Sequence, residues 1–166
     1  MATSLLIMAG SAAAQSVPAA APASDLSWLH GDWNGTGAVF GAPSQATLNA
    51  GPALEGKFVE LSYRFTTSGQ RAFAFEGRGF YSVADWRGQW FDSTGARRTL
   101  TGAVADGELS GEWGDTATER GRSQYRRGAD GTLEVIDQVL RADGQWHVFA
   151  THRFVRAEEQ VSSGTR

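Results

Sequence analysis

The chain has 166 residues, a formal net charge of −3 and no cysteine. This length is typical of one domain that buries enough surface to fold unaided. The lack of cysteine excludes disulfides, thiolate metal sites and a lipid-anchored cysteine, and a mildly acidic chain is a poor partner for nucleic acid. We therefore expect one soluble domain that is held together by packing and does not bind nucleic acid.

The N-terminal segment has the features of an export signal. Residues 1–24 carry no charge and contain a short apolar run followed by small residues. This pattern predicts a secretory signal peptide over 1–14, and the Pro/Ala-rich residues 15–24 predict a disordered linker. The apolar run is much shorter than the roughly 20 residues of a membrane span. The sequence thus predicts a periplasmic or secreted protein without a membrane span, and a disordered tail over 158–166.

Beyond residue 25 the sequence has the patterning of β-strands. Apolar and polar residues alternate with a period of two, as in Val59, Leu61 and Tyr63. Gly-containing turn signals such as Asp106-Gly107 and Asp143-Gly144 recur at short, even intervals. The pattern predicts about ten strands. They lie near residues 32–40, 44–50, 57–66, 71–82, 87–92, 97–104, 108–113, 117–126, 132–140 and 145–156.

An up-and-down sheet of this many strands removes its exposed edges by closing on itself. We find no repeat with a period of about 20 to 50 residues, which argues against a propeller or a solenoid. The sequence therefore predicts an all-β fold, a single antiparallel up-and-down β-barrel over residues 25–157. We expect a short helix or turn from Ser24 to Leu29 before the first strand, and a β-bulge near Gly77 and Gly79.

The segment Trp28-Leu29-His30-Gly31-Asp32-Trp33-Asn34-Gly35 opens the predicted barrel. Within it, Gly31-x-Trp33 resembles the G-x-W start of lipocalins and other calycins. In such barrels the Trp closes one end, and an Arg from the last strand packs on its face. The resemblance implies that Gly31 and Trp33 are structural and that Arg153 or Arg156 makes a cation–π contact with Trp33.

The resemblance extends to small bacterial lipocalin-like proteins of unassigned function and spans nearly all of residues 26–156. It rests on the opening segment, on Gly77-Arg78-Gly79-Phe80-Tyr81, on Trp90-Phe91-Asp92-Ser93 and on Arg153-Phe154-Val155-Arg156. One departure is Phe80-Tyr81-Ser82, where that family commonly has Gly-Tyr-Asp. The resemblance implies a fold but no activity.

Strand parity indicates which polar side chains face the interior, because alternate residues share a face. Trp90 and Asp92 share a face of one strand. Asp137 shares a face with Leu133, Val135 and Val139, and His152 shares one with Trp146, Val148, Ala150 and Phe154. Since a buried carboxylate needs a donor such as Arg122, Arg64 or His152, we expect an internal polar cluster. The candidate ligand-binding residues are Trp90, Asp92, Arg122, Asp137 and His152.

These features favour an exported lipocalin-like protein that binds a small apolar or amphiphilic molecule, with no catalytic residue assigned. Two alternatives stay open: an enzyme that uses the Asp/His cluster for acid/base chemistry, and a barrel too well packed to hold a ligand. Nitrobindin-type barrels bind haem through a His near the C-terminus, where His147 and His152 lie; otherwise we expect no cofactor. The three histidines, His30, His147 and His152, lack the sequence spacing of metal ligands, so no metal site is expected. No sequence signal specifies an oligomeric state.

Overall fold

The computed structural model describes residues 26–69, 72–105 and 107–157. The predicted signal peptide, linker and C-terminal tail lie outside these residues. The described ranges contain no helix that is long and apolar enough to span a membrane. They form ten strands: β1 (Gly31–Val39), β2 (Ala42–Ala53), β3 (Phe58–Thr67), β4 (Ala74–Ser82), β5 (Arg87–Asp92), β6 (Arg97–Ala105), β7 (Glu108–Trp113), β8 (Gly121–Arg127), β9 (Leu133–Leu140) and β10 (Trp146–Arg156).

The strands form one closed antiparallel barrel. Each strand pairs with its neighbours in the chain, and β10 closes the sheet by pairing with β1, from Trp33 opposite Arg156 to Val39 opposite Ala150. Successive side chains of each strand point alternately into and out of the barrel, and the inward set forms the core. In β3, for example, Leu61 and Tyr63 face inward and are buried. The predicted all-β up-and-down barrel is confirmed.

The predicted bulge at Gly77 and Gly79 is wrong, because β4 keeps an unbroken register with β3 and β5. Those glycines make room for an indole instead: a Cβ on Gly77 would lie 2.0 Å from the ring of Trp90. The register shift lies in β10, where Phe149 is skipped between Val148 and Ala150. An extra residue at this point changes which residues face inward.

Because of this shift, Trp146 and Val148 do not share the inner face with Ala150, His152 and Phe154, so the prediction is wrong for the first part of β10. Val148 is 53% exposed, and the Trp146 ring lies under the guanidinium of Arg122 on the outside of the barrel. From Ala150 onward the predicted parity holds, and His152 and Phe154 are buried.

One end of the barrel is closed by the segment before β1. Residues 27–29 form a turn, in which the Leu29 amide donates to the Leu26 carbonyl, whereas Ser24 lies outside the described residues. Trp33 is buried, and its indole N–H donates to the Leu29 carbonyl at 2.8 Å. This hydrogen bond fixes the turn across the end of the barrel.

An arginine of the last strand seals the same end. The guanidinium of Arg156 lies 4.2 Å from the centre of the Trp33 ring and donates to the carbonyls of Trp28 and His30. Gly31 has a φ of +118°, which favours glycine, and a Cβ there would overlap the Arg156 guanidinium.

The other arginine implied by the resemblance lies elsewhere. Arg153 pairs with Asp130 at 2.5 Å on the outer surface, so the structure places Arg156, and not Arg153, on the Trp33 ring.

Candidate functional site

A cavity of about 300 Å³ occupies the barrel and opens at the end opposite Trp33. Because β1 starts at the closed end, the turns that follow β1, β3, β5, β7 and β9 all lie at the open end. Phe40, Phe73 and Thr94 come from three of these turns and line the cavity. The full lining consists of Phe40, Leu61, Tyr63, Phe65, Phe73, Phe75, Tyr81, Trp90, Asp92, Thr94, Arg98, Leu100, Trp113, Glu119, Ser123, Tyr125, Asp137 and Phe149.

Aromatic rings form one wall of the cavity. Phe65 stacks on Phe75 with their centroids 5.1 Å apart, and Phe75 stacks on Trp90 at 6.5 Å. Trp90 fits here because Gly77 and Gly79 of β4 leave space for its ring. The result is a continuous aromatic wall suited to an apolar group.

Two aromatic side chains stand at the mouth of the cavity. Phe40 is 67% exposed, has a φ of +48° and stacks on Phe149 with their centroids 5.4 Å apart. A positive φ is strained for a residue with a Cβ. The exposed Phe40 ring adds apolar surface at the entrance of the cavity, and its backbone conformation costs some energy.

A carboxylate lies inside the cavity. Asp137 on β9 is 6% exposed, and Ser123 on the neighbouring strand β8 donates a hydrogen bond to it at 2.5 Å. None of the ion pairs among the described residues includes Asp137. Burial raises the pKa of Asp137 to about 6, although the Ser123 hydrogen bond acts to lower it.

Three tyrosines share the cavity with this carboxylate. Burial raises the pKa of Tyr63, Tyr81 and Tyr125, and the negative charge of Asp137 raises all three further. Their phenols therefore stay protonated at neutral pH. The cavity thus combines neutral hydroxyl groups with one carboxylate on otherwise apolar walls.

A histidine lies behind one of these tyrosines. His152 is 2% exposed, its Nδ1 is 2.7 Å from the Tyr63 hydroxyl, and its Nε2 is 2.6 Å from the Ser44 hydroxyl. Desolvation lowers the pKa of His152 to about 4, so the ring is neutral, with one nitrogen donating and the other accepting. His152 is not among the lining residues. It is connected to the cavity by its hydrogen bond with the Tyr63 hydroxyl, which does line the cavity.

An ion pair lies at the rim. The Arg98 guanidinium is 2.7 Å from the Asp92 carboxylate, whose side chain is 1% exposed, and 3.8 Å from Glu119. Desolvation alone would raise the pKa of Asp92, but hydrogen bonds from Thr94 and Ala96 and the charge of Arg98 together lower it. Asp92 therefore remains ionised and bound to Arg98.

The structure brings together most of the sequence-predicted candidates. Trp90, Asp92 and Asp137 line the cavity, and His152 lies behind it. Arg122 is elsewhere: it donates to Gln138 at 2.6 Å on the outer face.

Parity within β8 explains the position of Arg122. Ser123 and Tyr125 face inward, so the residues between and beside them face outward. Arg64, a second candidate donor, also lies outside and pairs with Glu76 at 2.7 Å. Asp137 instead accepts a hydrogen bond from Ser123, and Asp92 accepts from Arg98, Thr94 and Ala96.

The residues present do not fit a haem. His152 has both ring nitrogens in hydrogen bonds and is not in the lining, and His147 lies at the surface, 3.4 Å from Asp143. His30 is not in the lining either, so no described histidine is placed to ligate iron in the cavity. Groups of three or more His, Asp or Glu side chains able to hold a metal are also absent from the described ranges.

The fold and the cavity define the class of protein. It is a closed ten-stranded antiparallel β-barrel with lipocalin-like architecture, sealed at one end and open to a cavity at the other. No protein-family model and no curated protein matches the chain.

Proposed function

We propose that this protein binds a small amphiphilic molecule inside the barrel. The observation that carries the proposal is the cavity itself, in which an aromatic wall faces a buried carboxylate and three phenols. Apolar walls with a few convergent polar groups are typical of small-molecule sites. The wall accommodates the apolar part of the ligand, and the group around Asp137 binds its polar end.

The size of the cavity limits the ligand. Its volume of about 300 Å³ is at the lower end of the roughly 300 to 1,000 Å³ typical of small-molecule pockets. Burial of apolar surface contributes about 25 cal/mol per Å², so contact with the aromatic wall adds to the affinity. We expect a ligand with up to three rings, or with a short alkyl chain.

The contacts of the interior polar groups favour binding over acid/base catalysis. Asp137 bonds to Ser123, whereas His152 bonds to Ser44 and Tyr63. Asp137 and His152 therefore belong to two separate hydrogen-bond networks, while a catalytic pair needs a direct or water-bridged contact. The open cavity likewise favours binding over a barrel that is filled by its own side chains.

We also propose export, on the basis of the apolar and small residues in 1–14. The intact mass of the protein in its native host tests this directly. A mature chain that starts at Gln15 is expected, and a chain that still carries residues 1–14 would contradict export.

Binding in the cavity is tested by filling it. Leu100 is buried and lines the cavity, whereas the next residue, Thr101, points outward. We expect the fluorescence of N-phenyl-1-naphthylamine to increase with the wild type and with Thr101→Trp. With Leu100→Trp we expect it to stay near that of the free probe. Thermal melting of both variants checks that they are folded, since overpacking costs about 1 to 3 kcal/mol. Equal probe binding by the two folded variants would contradict a site inside the barrel.

A further inference from the structure

We propose that the polar end of the ligand is a protonated amine that pairs with the carboxylate of Asp137. This inference rests on the proposed binding function and specifies the chemical class of the ligand. Three observations carry it: the unfilled acceptor sites of Asp137, the balance of charge in the cavity lining, and the aromatic groups around the carboxylate.

The first observation concerns hydrogen bonds. An ionised carboxylate accepts up to about four hydrogen bonds, and from the described residues the Asp137 side chain receives one, which Ser123 donates. Asp137 is buried and lines the cavity, so its remaining acceptor sites face a space that a ligand can occupy. An ammonium group has three N–H donors and a positive charge. It therefore satisfies both the acceptor sites and the buried charge.

The second observation concerns charge. Among the described residues, three carboxylates line the cavity, those of Asp92, Glu119 and Asp137, against one guanidinium, that of Arg98. Arg98 is 2.7 Å from Asp92 and 3.8 Å from Glu119, so it is already paired at the rim. The described part of the lining has an excess of negative charge, which attracts cations and repels carboxylate ligands such as fatty acids.

The third observation concerns the groups around the carboxylate. Tyr63, Tyr81 and Tyr125 are neutral, and their oxygens can accept hydrogen bonds from an ammonium group. Aromatic faces also attract cations through cation–π contacts. The stacked rings of Phe75 and Trp90 then contact the apolar part of the amine.

Three probes of matched size and different charge test the inference: 2-phenylethylamine, 2-phenylethanol and 3-phenylpropionate. Each is titrated by calorimetry into the purified protein at pH 7.5, where the amine is protonated. With the wild type we expect the amine to bind at least about tenfold tighter than the alcohol, and the acid to bind most weakly. With Asp137→Asn we expect the preference for the amine to fall below about twofold, with the alcohol bound as before.

A control variant on the same strand separates a local effect from a general change of charge. Glu134 lies on β9 and points outward, so Glu134→Gln removes a carboxylate in the same way without touching the cavity. It is expected to keep the full preference for the amine. If Glu134→Gln loses as much of the preference for the amine as Asp137→Asn does, the inferred pairing of the amine with Asp137 is wrong.

The possible results distinguish this inference from the proposed function. If the alcohol binds as tightly as the amine to the wild type, or the acid binds best, the amine inference is wrong and the binding function stands. If none of the three probes binds, and N-phenyl-1-naphthylamine also fails to bind, the proposed function is wrong and this inference falls with it.

Discussion

The Ser123 hydroxyl and the Asp137 carboxylate are joined by a 2.5 Å hydrogen bond inside the barrel. The two residues are direct partners across β8 and β9, and both face the cavity. The bond fixes the direction of the carboxylate without neutralising its charge. Burial keeps the pKa of Asp137 raised in spite of this bond, and the free acceptor sites of the carboxylate are the feature on which the inferred pairing with an amine rests.

The first prediction concerns Asp137→Asn and pH. The pKa of Asp137 is about 6 in the folded state, against 3.8 for the ordinary residue. A raised carboxylate pKa destabilises the fold progressively as the pH rises from about 4 to about 6, and the penalty is constant above that. Relative to the wild type, the unfolding free energy of Asp137→Asn should therefore rise by about 2 kcal/mol between pH 4 and pH 7.

Urea unfolding at several pH values measures this difference, and the comparison cancels the titration of groups that both proteins share. Tyr63, Tyr81 and Tyr125 have raised pKa values and stay neutral throughout. His152, whose pKa is about 4, and the rim group of Asp92, Arg98 and Glu119 are common to both proteins. A difference that does not change between pH 4 and pH 7 would show that Asp137 is not desolvated.

The second prediction concerns the hydrogen bonds of His152. His152→Phe should lower the unfolding free energy by roughly 2 to 4 kcal/mol, because it leaves the buried hydroxyls of Ser44 and Tyr63 without their partner. Tyr63→Phe should cost less, roughly 1 kcal/mol. In the double variant the losses should not add, with a coupling of about 0.5 to 2 kcal/mol by urea unfolding. Additive losses would mean that the bond between His152 and Tyr63 contributes nothing.

Much of this interior was predictable from the sequence, and the reason is strand parity. In β9, Leu133 and Val135 are apolar and face inward, and no bulge interrupts the strand, so Asp137 was correctly placed on the inner face. In β10 the same reasoning failed before Ala150, because the skipped residue Phe149 shifts the register there. No local sequence signal marked that bulge.

The error over Arg122 has a different cause. In the β8 segment Arg122-Ser123-Gln124-Tyr125, both alternating sets are polar, so hydrophobic periodicity does not distinguish the two faces. Only the pairing of Ser123 with Asp137 determines the inner set. Arg98 was missed for a similar reason, since it reaches Asp92 across a turn and no pattern within one strand reveals that contact.

A third prediction concerns the aromatic wall. An added methyl group in Gly77→Ala would lie 2.0 Å from the Trp90 ring, so the ring must move. We expect a loss of about 1 to 3 kcal/mol in stability and a changed near-ultraviolet circular dichroism spectrum. Gly51→Ala is the matched control, because a Cβ there meets nothing within 4 Å. Equal effects of the two substitutions would contradict the close contact between Gly77 and Trp90.

A fourth prediction compares two arginines of β10. Arg156→Lys should lower the unfolding free energy by roughly 1 to 2 kcal/mol, because lysine cannot both cover the Trp33 ring and bond to two carbonyls. Arg153→Lys should change it by less than about 0.5 kcal/mol, since Arg153 makes an exposed ion pair with Asp130. Denaturant unfolding of both variants tests the comparison, which would be refuted if Arg153→Lys were the more damaging.

The most direct test of the central claim is a crystal structure of the protein with 2-phenylethylamine. The account predicts that the phenyl ring lies against Trp90 and that the ammonium nitrogen lies about 2.7 to 3.2 Å from the Asp137 carboxylate. An amine bound at the outer surface, with the cavity holding only water at saturating ligand, would contradict it.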